Sequence, residues 1–359
     1  MIATIIIAFF SLMGLIVLHE FGHFLFAKKF GVKVEEFGIG YPPRIFGKKI
    51  GETVYSLNLL PFGAFVRLPG EIEKKDSADS FSNQPVSKRI LIVLGGVLSF
   101  WVIAAVIFSV VFALGAPVAI DDETAGNLID PKVQIVGLAK DSPAEIAGLR
   151  VGDTIKELSF LDDKVVPEKT KQIQDFTNNY LGQEISLTIE RGKEILYFSL
   201  TPRVSPPSGE GAMGIALTRT AIKKSPLYLA VWEGIVTTGD LTIGIIGGYA
   251  KAIKNVIVGD PSGVQMTGPI GVFQMLAQAQ ELGVVYYLNF LAMISIYLAV
   301  FNLMPIPAVD GGRLMFLTIE AVRKKPIPEK IEQNITAVFF MLLIILMIFV
   351  TINDISRIF

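Results

Sequence analysis

Leu15-Ile16-Val17-Leu18-His19-Glu20-Phe21-Gly22-His23-Phe24-Leu25-Phe26-Ala27-Lys28-Lys29 contains both histidines of a 359-residue chain. The run from Ile2 to Leu18 before it is uncharged and apolar, so one long helix is expected from Ile2 to Lys29. On a helix, four residues advance about 400°, which puts His19 and His23 on one face about 6 Å apart. Two imidazoles so spaced can bind one Zn²⁺. Glu20 points about 100° away, poorly placed as a third ligand but able to reach a water on the metal and act as its base. His19 lies nine residues before Lys28, about 13 Å inside a membrane boundary. Ionisable groups at that depth are costly and read as functional.

A catalytic zinc takes three protein ligands and keeps one position open. The chain has no cysteine and no further histidine, so the third ligand must be a carboxylate. Asp310 is the sole acidic residue between Glu281 and Glu320 and ends the apolar stretch Gly283–Val309. Taken alone it would be a helix-end aspartate facing water. Pro305 and Pro307 break the helix before it, and Gly311-Gly312 permits a tight turn that would free Asp310 to reach the first helix.

Working outward, the chain is 52% hydrophobic and 18% charged with net charge −1, against about 25% charged in soluble domains. Such a balance gives no reason to expect nucleic acid. Without cysteine there are no disulfides and no cysteine nucleophile. Ile90–Leu114, Gly283–Val309 and Gln333–Asn353 are each long enough to span a bilayer, which with the first helix makes four. The first helix lacks a basic n-region and an A-x-A site, so it is not read as a removable signal peptide. Eleven Lys and Arg, Lys74 among them, fall between Lys28 and Arg89, and Arg313, Arg323, Lys324, Lys325 and Lys330 follow the third stretch. Positive loops stay cytoplasmic, so both termini and the segment Gly115–Lys224 are expected outside. Alternating runs at 133–136 and 185–189, and Gly192 after Arg191, predict strands and a hairpin there. Ser205–Gly211 reads as a loop leading toward the membrane. Ser225–Gly259 is apolar but carries Glu233, Asp240, Lys251 and Lys254. A fifth span is one option; an amphipathic helix along the outer interface is the reading adopted.

His19-Glu20-x-x-His23 and Asn302-x-x-Pro305-x-Pro307-x-x-Asp310-Gly311 together resemble the site-2 protease family, in particular the bacterial proteases that complete cleavage of anti-sigma factors. The resemblance covers the whole chain. It implies His19, His23 and Asp310 as zinc ligands, Glu20 as general base and Asn302 as a residue contacting substrate or oxyanion. Gly63 to Glu71 is similar to the family's membrane-associated β-hairpin, and implies substrate binding along Phe65, Val66, Arg67 and Leu68 by strand addition. Thr267-Gly268-Pro269-Ile270-Gly271 resembles a family motif of uncertain role. Phe100 follows Gly95-Gly96-Val97-Leu98-Ser99 where the family often has an asparagine. Ser142-Pro143-Ala144 through Gly152-Asp153-Thr154-Ile155 resembles a single bacterial PDZ domain, which could filter substrates by size or bind peptide.

The expected fold is thus a polytopic α-helical membrane protein with a cytoplasmic membrane-associated β-hairpin region and an inserted α/β PDZ-like extracytoplasmic domain. Its segments are 1–29 with HExxH, a cytoplasmic loop at 30–88, a span at 89–115, the PDZ-like domain at 116–224 and an interfacial segment at 225–282. A span with the second motif follows at 283–312, then a cytoplasmic loop at 313–332 and a last span with its tail at 333–359. The expected function is a zinc endopeptidase of the bacterial inner membrane. It would cleave a single-pass membrane protein, such as an anti-sigma factor or signal-peptide remnant, already trimmed by another protease. An inactive scaffold would not need Glu20, and an ion transporter would be expected to show an inverted repeat, which the sequence lacks.

Overall fold

The computed structural model describes residues 2–71, 75–123, 129–259 and 267–358, so Lys74 lies outside the described residues. In chain order the elements are α1 (Ile2–Lys29), β1 (Glu36–Ile50), β2 (Thr53–Arg67), α2 (Val86–Leu114), β3 (Ala116–Ile120), β4 (Ile129–Leu138) and α3 (Pro143–Ile146). There follow β5 (Thr154–Phe160), β6 (Asp163–Val165), α4 (Thr170–Asn179), β7 (Ile185–Arg191), β8 (Glu194–Leu200) and β9 (Ile215–Lys223). The chain closes with α5 (Leu227–Val258), α6 (Pro269–Leu282), α7 (Val284–Leu303), α8 (Asp310–Arg323) and α9 (Glu329–Ile358). It divides into two compact units, one of 1–108, 231–277 and 290–359, the other of 109–230 and 278–289.

In the first unit α1 and α2 approach closely through glycines. A Cβ on Gly22 would collide with the Gly95 carbonyl, so the two backbones touch where any larger residue would hold them apart. Partners along α2 then set the direction of its neighbours. His19 stacks on Phe100, and His23 reaches the Ile92 carbonyl. On the other side Ser295 donates to the Phe100 carbonyl at 2.7 Å, and Glu320 pairs with Arg89. Both α1 and the α7–α8 segment therefore run opposite to α2.

The hairpin is more elaborate than a simple ribbon. β1 and β2 are each 15 residues long and bend on themselves. Glu36–Ile39 lies between Val54–Leu57 and Ala64–Arg67, while Lys48–Ile50 pairs with the start of β2. Four short rungs result, and Ala64–Arg67 forms an edge. Phe62 meets Phe9 ring to ring at 6.1 Å, so the sheet's tip lies beside the N-terminal half of α1. At its other end, Glu36 accepts from Ser56 (2.7 Å) and Arg44 (2.6 Å) and pairs with Arg67 (3.2 Å). Burial alone would raise its pKa, but these donors and cations hold it below the usual carboxylate range.

Five helices are long and apolar enough to cross a membrane, Leu227–Val258 being the addition to the four expected. The third stretch is broken: α7 ends at Leu303 and Asp310 begins α8. Gly311-Gly312 therefore forms the first turn of a helix instead of a free turn. Added Cβ atoms there would strike the Met304 and Ile306 carbonyls, so glycine lets α8 start against the Pro305–Pro307 loop.

The second unit is an antiparallel sheet in the order β3-β9-β4-β5-β7-β8, with β6 on β5. Ile185, Leu187 and Ile189 alternate inward with Val133, Ile135, Ile173 and Phe176. The loop around Ser205–Gly211 leads into β9, not directly to the membrane, because β9 pairs both β3 and β4. Gly192 turns β7 into β8 at φ 62°. Asp153, fully buried, accepts from Arg191 at 2.7 and 2.8 Å and from the Arg150 amide at 2.8 Å. Replacing Arg191 by Met strands this carboxylate, and breaking such a pair costs about 3–5 kcal/mol. Hydrogen exchange on the full-length chain should show faster exchange in β5 and β7, with α1 and α2 unaffected.

Candidate metal centre

Nε2 of His19, Nε2 of His23 and Oδ2 of Asp310 form a triangle with all three edges 3.3 Å. Donors about 2.0–2.1 Å from a tetrahedral zinc are separated by about 3.3–3.4 Å, so the triangle has the size of one face of a zinc coordination shell. No other cluster of three or more potential ligands is found among the described residues. Asp310 Oδ2 is buried and makes no hydrogen bond, a state a carboxylate oxygen accepts at low cost only beside a cation. The residues therefore fit the metal that the spacing implies.

Each candidate ligand is held by its element. The two histidines share a face of α1 because they are four residues apart. His23 Nδ1 lies 3.0 Å from the Ile92 carbonyl; donation there leaves Nε2 with its lone pair toward the centre. Gly96 faces that imidazole so closely that a Cβ would overlap Nε2. His19 lies flat on Phe100, ring centroids 4.6 Å apart and planes 15° apart. Phe100 thus braces His19 from the position where the family often has an asparagine. Asp310 is in the first turn of α8, where the helix dipole favours a negative charge.

Glu20, Asn302, Tyr41 and Ala64 line a polar cavity of about 1040 Å³ together with His19 and Asp310. Its rim carries Arg89 paired with Glu320 and Arg313 paired with Glu71, the latter arginine also over the Phe81 ring at 4.7 Å. Asn302 donates one N–H to the Leu298 carbonyl at 2.9 Å, and its amide carries a second donor. Of the four residues expected to bind substrate, Phe65 and Val66 are half-buried and Arg67 is exposed. Leu68 packs in a core with Ala27, Val34, Phe81 and Ile92, so its side chain faces inward. The carbonyl of Ile92, Gly96 and the Arg313–Glu71 pair were not singled out from sequence. Gly95-Gly96 was the available signal, since paired glycines within an apolar helix mark close approach.

The Thr267–Gly271 motif gains a structural role. Buried Asp354 of α9 accepts from the Gly268 and Gly271 amides at 3.1 and 2.9 Å, capping α6.

Two outcomes follow for the metal. His19→Ala, His23→Ala and Asp310→Ala should each reduce bound zinc from one equivalent to a small fraction, measured by mass spectrometry of the purified protein. Gly96→Ala keeps every ligand but displaces His23, and should weaken zinc about tenfold or more in chelator competition.

The profile of peptidase family M50 matches residues 7–346. A Clostridium perfringens protein carrying a zinc metalloprotease name is 34% identical over 98% of both chains. The zinc metalloprotease RasP of Shouchella clausii is 28% identical over 98% of both. The regulator of sigma-W protease RasP of Bacillus subtilis is 28% identical over 100% of both. The chain belongs to peptidase family M50, the site-2 protease family of membrane zinc metalloproteases.

Proposed function

We propose that this protein hydrolyses a peptide bond within the membrane segment of a single-pass protein in the bacterial cytoplasmic membrane. The observation that carries this is the His19–His23–Asp310 triangle with Glu20 on the same polar cavity, framed by helices long enough to span a bilayer. Zinc, when bound, supplies a Lewis acid for the scissile carbonyl and lowers the pKa of water. Glu20 takes the proton of the attacking water and passes it to the leaving nitrogen. The free N–H of Asn302 is suited to the developing oxyanion.

A transmembrane helix hides its carbonyls in hydrogen bonds and must unwind to be cut, which exposes backbone groups with no water to satisfy them. The edge Ala64–Arg67 supports strand addition as the remedy. Its inner side pairs with Glu36–Ile39, no strand pairs its other side among the described residues, and Ala64 opens on the cavity. Backbone pairing makes the contact tolerant of sequence. Since Arg67 is engaged by Glu36 and Leu68 is in the core, Phe65 and Val66 would carry the side-chain contacts.

The same reading places both termini and the PDZ-like unit outside, with the charged loops in the cytoplasm. α1 and α7 run alike, and α2 runs back between them. A single crossing by α5 would start α7 on the wrong side, and α6, 14 residues or about 21 Å long, is too short to correct it. This supports α5 lying along the interface, where exposed Tyr228 and Trp232 suit the headgroup region. The sigma-W name of the Bacillus relative favours a substrate of anti-sigma type, trimmed beforehand by another protease.

The test is cleavage of a model single-pass protein by enzyme in proteoliposomes. Wild type should cut it with zinc bound. Glu20→Gln should keep one equivalent of zinc and lose at least about a thousandfold in rate. A Glu20→Gln enzyme that holds zinc and cuts at the wild-type rate would exclude Glu20 as the base.

A further inference from the structure

We propose that an apolar groove beside the N-terminal half of α1 holds the still-helical part of the substrate's membrane segment, with Gly14 as the point of closest approach. This rests on the endopeptidase reading and adds where the enzyme grips the segment that it does not unwind.

The groove has a volume of about 800 Å³. Phe10, Gly14 and Leu18 form one wall, Leu57 and Pro61 of the sheet another, and Phe273 of α6 closes it. Asn58 is a polar member of the lining, and its amide is engaged by the Ile39 and Gly40 carbonyls at 3.4 and 3.1 Å. Nothing there is arranged to orient a polar ligand. The occupant must be apolar.

Gly14 says which apolar occupant. A glycine within a helix weakens it relative to alanine, so its presence needs a reason. Gly22, Gly95 and Gly96, the other glycines of α1 and α2, have one: added Cβ atoms would strike the Gly95 carbonyl, the Phe26 ring and His23 respectively. A Cβ on Gly14 meets nothing within 4 Å. A small residue on an open helix face permits close packing of another helix, an advantage that a flexible acyl chain does not need.

Continuity with the reaction centre supplies the second argument. Leu18 of the groove immediately precedes the ligand His19. Gly40 and Pro61 belong to the groove, whereas Tyr41 and Ala64, close by in the same strands, belong to the metal cavity. A helix lying in the groove therefore leads straight to the free edge at Ala64–Arg67 and to Glu20. The groove would hold one part of the segment as a helix while the next part becomes a strand. Cleavage would then occur at a fixed distance from the gripped portion.

The experiment compares two substrates with full-length enzyme in proteoliposomes: a membrane-spanning protein, and a short apolar peptide that covers the scissile region but cannot reach the groove. Gly14→Leu should lower kcat/KM for the spanning substrate about tenfold relative to the peptide, mainly through KM, with Gly14→Ala intermediate. Val106→Leu, on an exposed face of α2, should leave both rates unchanged. An unaltered ratio of the two rates in Gly14→Leu, with the peptide still cut, overturns the groove and leaves the protease reading intact. Loss of cleavage of both substrates by wild type would instead remove the reading on which the groove rests. Because the chain has no cysteine, Gly14→Cys in a Glu20→Gln background provides an arm independent of turnover. Disulfide cross-links should form to cysteines in the part of the substrate segment away from the scissile bond. Cross-links confined to the scissile region, or none, overturn the proposal. So would a phospholipid that is retained by wild type and lost in Gly14→Leu, seen by native mass spectrometry, with unchanged substrate kinetics.

Discussion

Two imidazole nitrogens and a carboxylate oxygen, each 3.3 Å from the other two, have the spacing of three donors around one zinc ion. Much of the surrounding architecture serves this closeness. Gly22 and Gly95 let α1 touch α2, Gly96 leaves room for His23, and Phe100 supports His19. Gly311 and Gly312 let α8 begin where α7 breaks, which presents Asp310 to the histidines. Each glycine removes a side chain where the ligands require backbones to come close.

The membrane imposes the complementary constraint. α9 exposes Phe339, Phe340, Leu342, Ile345 and Phe349 on several faces, a pattern that water would not tolerate and lipid rewards. Polar groups inside must therefore be satisfied locally. Asn58 is satisfied by the Ile39 and Gly40 carbonyls, and Asp354 by the Gly268 and Gly271 amides. Among the described residues, no strand pairs the outer side of the edge Ala64–Arg67. An unpaired strand edge is tolerated at membrane depth only where it lines a cavity, and Ala64 lines the cavity that also holds His19 and Asp310.

Side-chain chemistry made the centre legible in the sequence. The histidines are four residues apart on one helix, and with no cysteine and no further histidine the third candidate had to be a carboxylate, for which Asp310 stood out beside the Pro305–Pro307 break. Residues that act through their backbone or through their smallness were harder to read. The Ile92 carbonyl carries no signal, and Gly96 gains meaning only beside His23. Phe100 was judged as a missing asparagine because a stacking partner cannot be inferred from one sequence. The hairpin expected at Gly63–Glu71 overlaps only the end of β2, because the four rungs of the sheet depend on pairing between distant residues such as Glu36 and Arg67. For α5 the four charges Glu233, Asp240, Lys251 and Lys254 left two options, a fifth span or an interfacial helix, because they are spread along its 32 residues.

X-ray absorption at the zinc edge of the purified full-length protein reads the coordination shell itself. The expected spectrum is of one zinc per chain with two imidazoles at about 2.0–2.1 Å and the remaining scatterers oxygen, a four-coordinate shell. A shell with one imidazole, or with three or four contributed by two chains, would contradict the centre described by His19, His23 and Asp310.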